Sequence, residues 1–240
     1  FCLGFPDSAL DHSNTVVAEA RRLAHPPTLT VSLSTDARLL SLTGDYAALD
    51  QRADQLIEVA TEQGFQLYRV LGTIYRGWVK VNTGDVPAGV SLLRSGSNAY
   101  SATGAQTRIC YHTALLAKAC EIAGQVDEAL SHFDNALQLA EAVGERWFMA
   151  ELYRHKGELM IRQGDSEAAE KFYRKAIGIA EKQEAKLWEL RAAMSLARLW
   201  GIQGRRGEAR DLLAPIYDRF TEGFDSPDLM GAKALLNELS

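Results

Sequence analysis

The sequence predicts an all-α fold, a right-handed superhelical solenoid of antiparallel helix hairpins, and three observations carry that expectation. Gly4, Gly44, Gly84, Gly124, Gly164 and Gly204 stand at an unbroken spacing of 40 residues. A second series at the half period reads Ala24, Gly64, Gly104, Gly144 and Glu184. Between these markers apolar residues recur with the 3.6-residue period of an amphipathic helix, as Ala129, Leu130, Phe133, Ala136, Leu137 and Ala140 do in "VDEALSHFDNALQLAEAV". A glycine ends a helix well because it enters the left-handed region at no steric cost. Each 40-residue unit is therefore read as two helices and two turns, and stacked hairpins bury a core that no single unit could form.

Taken in order, residues 1–24 are a half repeat. Gly4 already sits at the turn position, so the first helix of that hairpin is expected upstream, and the chain opens on Phe1 rather than Met; both point to a longer parent. Full repeats follow at 25–64, 65–104, 105–144, 145–184 and 185–224, and residues 225–240 form a capping helix, all within a single helical-repeat domain over 1–240. First helices are expected at 25–43, 65–83, 105–123, 145–163 and 185–203. Second helices restart two or three residues after the turn glycine, with Asp45, Asp85 and Asp165 placed to accept first-turn N–H bonds. The segment "VPAGVSLLRSGSNAYSATG" (86–104) has the composition of a linker. Yet Gly89 and Gly96 fall in columns where other repeats carry small residues, so it is read as a weak helix. Pro215 interrupts the last second helix, and Ser226 with Pro227 form an N-cap and first helical position for the closing helix.

The small columns have a physical meaning. Seven residues before the turn glycine stand Ala37, Gly77, Ala117, Gly157 and Ala197, all small; five after it stand Ala9, Leu49, Gly89, Ala129, Ala169 and Ala209, all small but Leu49. Small side chains at fixed points let two helices approach closely, and the mostly bulky column nine after the glycine (Ala53, Leu93, Phe133, Tyr173 and Leu213) fills the space beside them.

Composition excludes several classes. The chain is 47% hydrophobic and 24% charged, with a net charge of −5, so a membrane partner is not expected and nucleic acid is disfavoured. Residues 145–210 do tilt basic, with 14 Lys and Arg against 10 Asp and Glu, which keeps an RNA-binding helical repeat as the alternative reading. No apolar run is long enough to span a bilayer and no signal peptide is visible. Cys2, Cys110 and Cys120 lack C-x-x-C spacing, which argues against a zinc site or disulfide framework and for a reducing cytoplasm. His12, His25, His112, His132 and His155 show no metal-ligand spacing. No phosphate loop or nucleophile constellation occurs. Catalytic residues, cofactors and metals are therefore not expected in this chain.

The repeat columns resemble tetratricopeptide repeats: a small residue, a turn glycine, then G-[DQ]-x-x-[EA]-A at Gly124 and Gly164, with a degenerate G-R-R-G-E-A at Gly204. Over roughly 145–240, "GERWFMAELYRHKGELMIRQGD", "ELRAAMSLARLWGIQGRRGEARDLLAPIY" and "FTEGFDSPDLMGAKALL" are similar to the C-terminal repeat region of large bacterial signalling proteins. Those carry a class III adenylate or guanylate cyclase domain followed by an AAA-like ATPase module. The resemblance implies a cytoplasmic signal-transduction parent whose activity lies upstream, and a tail that is not itself an enzyme.

A stacked array works through the concave surface lined by its first helices. Three columns are expected to face it. Six residues before the turn glycine come Arg38, Trp78, Lys118, Glu158 and Arg198; Arg154 represents the column at ten, and Tyr111 and Arg191 the column at thirteen. Mixed aromatic and basic character suits a protein or peptide segment, one candidate being the parent's own NTPase module. Arginines would grip its carboxylates in a bidentate fork. In "WGIQGRRGEAR" (200–210), three glycines and three arginines could suggest a phosphate cradle. The register instead makes Gly204 the turn and Ala209 a packing contact, with Arg205, Arg206 and Arg210 expected in water.

Overall fold

The computed structural model describes all 240 residues and is helical throughout. The helices are α1 (Pro6–Arg22), α2 (Pro26–Thr43), α3 (Tyr46–Glu62), α4 (Gln66–Asn82), α5 (Val86–Ala102), α6 (Ile109–Ile122), α7 (Val126–Val143), α8 (Met149–Arg162), α9 (Ser166–Lys182), α10 (Lys186–Ile202), α11 (Arg206–Tyr217) and α12 (Pro227–Glu238). Contacts divide the chain into two compact units, Leu10–Val143 and Phe1–Ala9 with Gly144–Ser240. In the first, each helix from α2 to α7 packs on its chain neighbour, and α2, α4 and α6 also touch in series. In the second, α8 pairs with α9 and α10 with α11, while α8, α10 and α12 form the equivalent row.

The glycine ruler is a backbone requirement. All six glycines of the main series have positive φ, from +78° at Gly124 to +105° at Gly84. The half-period series does too, and there Ala24 (φ 49°) and Glu184 (φ 53°) hold the same left-handed conformation without being glycine. Beside the turns at residues 64, 84, 124, 164, 184 and 204 a 6→1 bond closes the helix end, such as Gln125 N to Cys120 O at 2.8 Å and Asp165 N to Met160 O at 2.9 Å. Asp45 and Asp165 cap as expected, accepting from Ala48 N (3.0 Å) and Ala168 N (2.9 Å). Asp85 stands at its N-cap, but its carboxylate is held by Lys80 Nζ at 2.9 Å. Ser226 caps α12 with Pro227 first in the helix.

The small columns are close approaches. A Cβ on Gly89 would lie 2.7 Å from both Gly77 O and Val81 N, and one on Gly96 would lie 2.7 Å from Ile74 Cγ1. On Gly157 it would enter the Tyr173 ring. Residues 86–102 are accordingly helical, the glycines being spacers between α4 and α5. Around them Leu49, Leu56, Ile74, Leu93, Phe133, Leu152, Leu159 and Leu213 are fully buried, each contributing about 1.5–3 kcal/mol relative to exposure.

Three findings depart from the register. The helices expected to begin at 105 and 145 begin at Ile109 and Met149. Tertiary bonds claim the carbonyls that would start them: Tyr100 Oη donates to Thr107 O, and Trp188 Nε1 donates to Trp147 O at 3.2 Å. Residues 1–9 are not an unpartnered half-hairpin, because they seat on α10 and the loop before α12. Leu187 N donates to Cys2 O at 3.0 Å, Ser8 N and Oγ reach Glu222 at 2.9 and 2.7 Å, and Gly223 N reaches Asp7 Oδ2 at 2.8 Å. Arg205 does not project freely into water. It stacks 4.4 Å from the Trp200 ring centroid and bonds Glu208 at 2.8 Å and Glu170 at 3.2 Å; Arg206 and Arg210 are exposed.

Candidate partner-binding face

Each unit presents a row of first helices, and the residues expected to meet a partner fall on both rows. In the Leu10–Val143 unit, the aromatic members turn inward. Trp78 and Tyr111 are 7% and 1% exposed. Tyr111 Oη shares a 2.5 Å hydrogen bond with Ser41 Oγ, whose hydroxyl also donates to Arg38 O at 2.7 Å. This chain of bonds ties α6 to α2 one turn from the Arg38 side chain, which is half-buried. Lys118 Nζ lies 2.9 Å from the buried carboxylate of Glu121.

Among the aromatic residues packed inside this unit sits one that column alignment did not select. His112 is 3% exposed, with its ring centroid 4.9 Å from that of Tyr100, 5.8 Å from Tyr111 and 6.3 Å from Tyr75. Neither ring nitrogen has a hydrogen-bond partner. Burial, with the positive fields of Arg108 and Arg38, pushes its pKa down to about 3, so the ring is neutral. Burial likewise lifts Tyr75 to about 12, against the pull of the same two arginines. Arg108, the N-cap residue of α6, is in the left-handed region at φ 60°. A signal for His112 existed in its apolar surroundings, "ICYHTALLAKAC", but a lone histidine on a buried stripe reads first as core.

In the other unit the structure brings Arg154, Glu158 and Arg191 into one ion-pair network. Arg154 Nε and Nη2 bond the Glu151 carboxylate at 2.6 and 2.9 Å, and its Nη1 lies 2.5 Å from Glu158 Oε1. Glu158 Oε2 meets His155 Nδ1 at 2.8 Å. Arg191 grips Asp228 of α12 in a bidentate fork at 2.7 and 2.8 Å, reaches Glu151 at 3.3 Å and lies 5.0 Å over the Trp188 ring. Burial opposes the charge of Glu151, but Arg154 and then Arg191 overcome it and hold the carboxyl at about 2. Burial opposes the charge of Arg154 too, and Glu151 and Glu158 keep it above the ordinary arginine value. These cations are therefore engaged in joining α8, α10 and α12. Arg198 stands apart and exposed, its guanidinium directed toward Gly231.

Such an array of hairpins with left-handed turns and small packing columns defines a helical-repeat protein of the kind that recognises other proteins through helix faces. Family profiles described as tetratricopeptide repeat match residues 108–182 and 190–215, so those two segments carry tetratricopeptide repeats. An uncharacterized protein, R02095, of Rhizobium meliloti (strain 1021) is 26% identical over 204 residues, covering 83% of this chain and 19% of that protein. The chain thus spans about a fifth of that relative's length. Among solved structures, a Rap protein complexed with competence and sporulation factor superposes with a TM-score of 0.67 at 14% identity, covering 97% of this chain and 71% of that one. A Signal Transduction ATPase with Numerous Domains (STAND) protein with a tetratricopeptide repeat sensor, PH0952 of Pyrococcus horikoshii, gives 0.60 at 12% identity over 96% of this chain and 36% of that one. No helix is long and apolar enough to cross a membrane.

Proposed function

We propose that this chain is a non-catalytic protein-interaction and regulatory module, the C-terminal tail of a bacterial cyclase or ATPase signalling protein, and that it holds an acidic protein segment on its first-helix face. The observation that carries this reading is the row of α2, α4 and α6, which touch in series and on which Arg38 and Arg108 place positive charge close enough to act on the same buried ring, His112. Guanidinium forks match carboxylates. The similarity to a STAND protein with a repeat sensor, and to a relative more than four times as long as the chain, supports a position beside an NTPase module.

Fluorescence anisotropy against Glu/Asp-rich peptides and their Gln/Asn analogues tests the chemistry. The acidic series should bind more tightly, and Arg38→Ala or Arg108→Gly should weaken it by about tenfold or more. The glycine variant is chosen because it keeps the left-handed backbone of residue 108. Equal affinity for both series would sink the proposed recognition. For the regulatory role, cyclase or ATPase activity of the parent is compared with and without residues 1–240, and unchanged activity would overturn it.

A further inference from the structure

Three side chains that the partner-binding reading does not use meet beside the α6–α7 turn. Gly124, at φ +78°, folds α7 back along α6. Cys120, near the end of α6, then faces Glu128 and His132, which lie one turn apart on α7. The Cys120 Sγ, one Glu128 carboxylate oxygen and one His132 ring nitrogen all lie within 4.8 Å of one another. His132 Nε2 and Glu128 Oε1 are 3.6 Å apart. Metal–ligand bonds of about 2.0–2.1 Å put the edge of a tetrahedron at about 3.3–3.4 Å, so this pair is already spaced as ligands of one ion. The sulfur must approach by about 1 Å, a movement on the scale of a side-chain rotation.

A second observation marks the same point. Arg94, from α5, places Nη2 2.7 and 2.6 Å from the two Glu128 oxygens and 3.2 Å from Gln125 Oε1. The field of its guanidinium also acts on the Cys120 thiol. The donors thus converge on a position that the protein itself fills with a positive group. The Arg94 side chain is 42% exposed and has solvent to swing into.

We propose that Cys120, Glu128 and His132 form a binding site for a thiophilic divalent cation of the zinc class, with Arg94 as the internal cation that the metal displaces. One thiolate, one imidazole and one carboxylate make a three-ligand set with a fourth position for water. Sulfur and nitrogen ligands select zinc-class ions over magnesium and calcium, which take oxygen. On binding, the thiol proton leaves to solvent as the sulfur–metal bond forms, and His132 binds as the neutral ring. No electrons are transferred.

Cobalt(II) titrated into the purified 240-residue chain is the probe, followed by displacement with zinc(II). A stoichiometric thiolate-to-cobalt charge-transfer band, lost on adding one equivalent of zinc, is expected. Cys120→Ser should abolish the band, and His132→Ala, at a half-exposed position, should weaken cobalt binding by about tenfold or more. Arg94→Gln should tighten binding by on the order of tenfold, because a competing charge leaves the site. Helicity by circular dichroism checks that each variant folds. Absence of a stoichiometric band, its persistence in Cys120→Ser, or unaltered affinity in His132→Ala would overturn the site. Weaker binding in Arg94→Gln would overturn the displacement.

Discussion

Glu184→Gly tests the backbone argument where the repeat departs from glycine. Glu184 holds φ 53° at the C-terminal turn of α9, a position that is glycine at residues 64, 104 and 144. Its N–H bonds Glu181 O at 3.1 Å, and Ala185 N closes the turn on Ala180 O at 2.9 Å, so the left-handed geometry is fixed by neighbouring bonds. That conformation costs an L-residue roughly 1–2 kcal/mol. Glycine removes the cost but returns about 0.4–1 kcal/mol through its freer unfolded chain. The difference is a gain of about 1 kcal/mol, or a rise in Tm of about 2–4 °C for a chain of this size. Glu184→Ala is the reference, since it removes the carboxylate and keeps the strain. Urea and thermal unfolding followed by tryptophan fluorescence are suited to the measurement, because Trp147, Trp188 and Trp200 lie in the same unit as residue 184. If Glu184→Gly proves no more stable than Glu184→Ala, the positive φ at this site carries no cost and the reasoning fails.

Two further perturbations probe the packing columns and the buried charges. Gly89→Ala should destabilise by about 1–3 kcal/mol in urea unfolding, since the added methyl meets backbone atoms of α4 at 2.7 Å. Gly178→Ala, with open space around the new methyl, should instead stabilise by about 0.5–1 kcal/mol. Glu151→Gln should cost about 3–5 kcal/mol by leaving Arg154 and Arg191 short of a buried partner. Because the folded Glu151 pKa is near 2 against an ordinary 4.5, its contribution is complete above the ordinary value and is lost as pH falls toward 2. Unfolding free energies measured across that range should show the acid-limb slope in the parent chain and a shallower one in Glu151→Gln.

The repeat was legible in the order of residues alone. A helix–turn–helix of constant length returns the same backbone conformation to the same position, so Gly44, Gly84, Gly124, Gly164 and Gly204 reveal the turns before any contact is known. Gly77, Gly89 and Gly157 were legible for the same reason, because close helix crossings recur at fixed offsets from a turn. Pro227 behind Ser226 announced α12 through purely local bonding. What periodicity could not reach were properties that depend on non-local partners. The late starts of α6 and α8 arise from Tyr100 and Trp188 taking carbonyls that local rules would leave to the helix. Column position alone could not tell that Trp78 and Tyr111 turn into the packing while Arg38 stays half-exposed. Arg154 and Arg191 read as open cations, until α12 and Glu151 supplied their counter-charges. The meeting of Cys120 with Glu128 and His132 left only a faint trace, an i,i+4 acid–histidine pair just past a turn glycine. Tertiary structure decided these because charge pairing, burial and ligand convergence are set by which side chains two packed helices bring within a few ångströms, whereas backbone turns and helix-crossing points repeat with the chain itself.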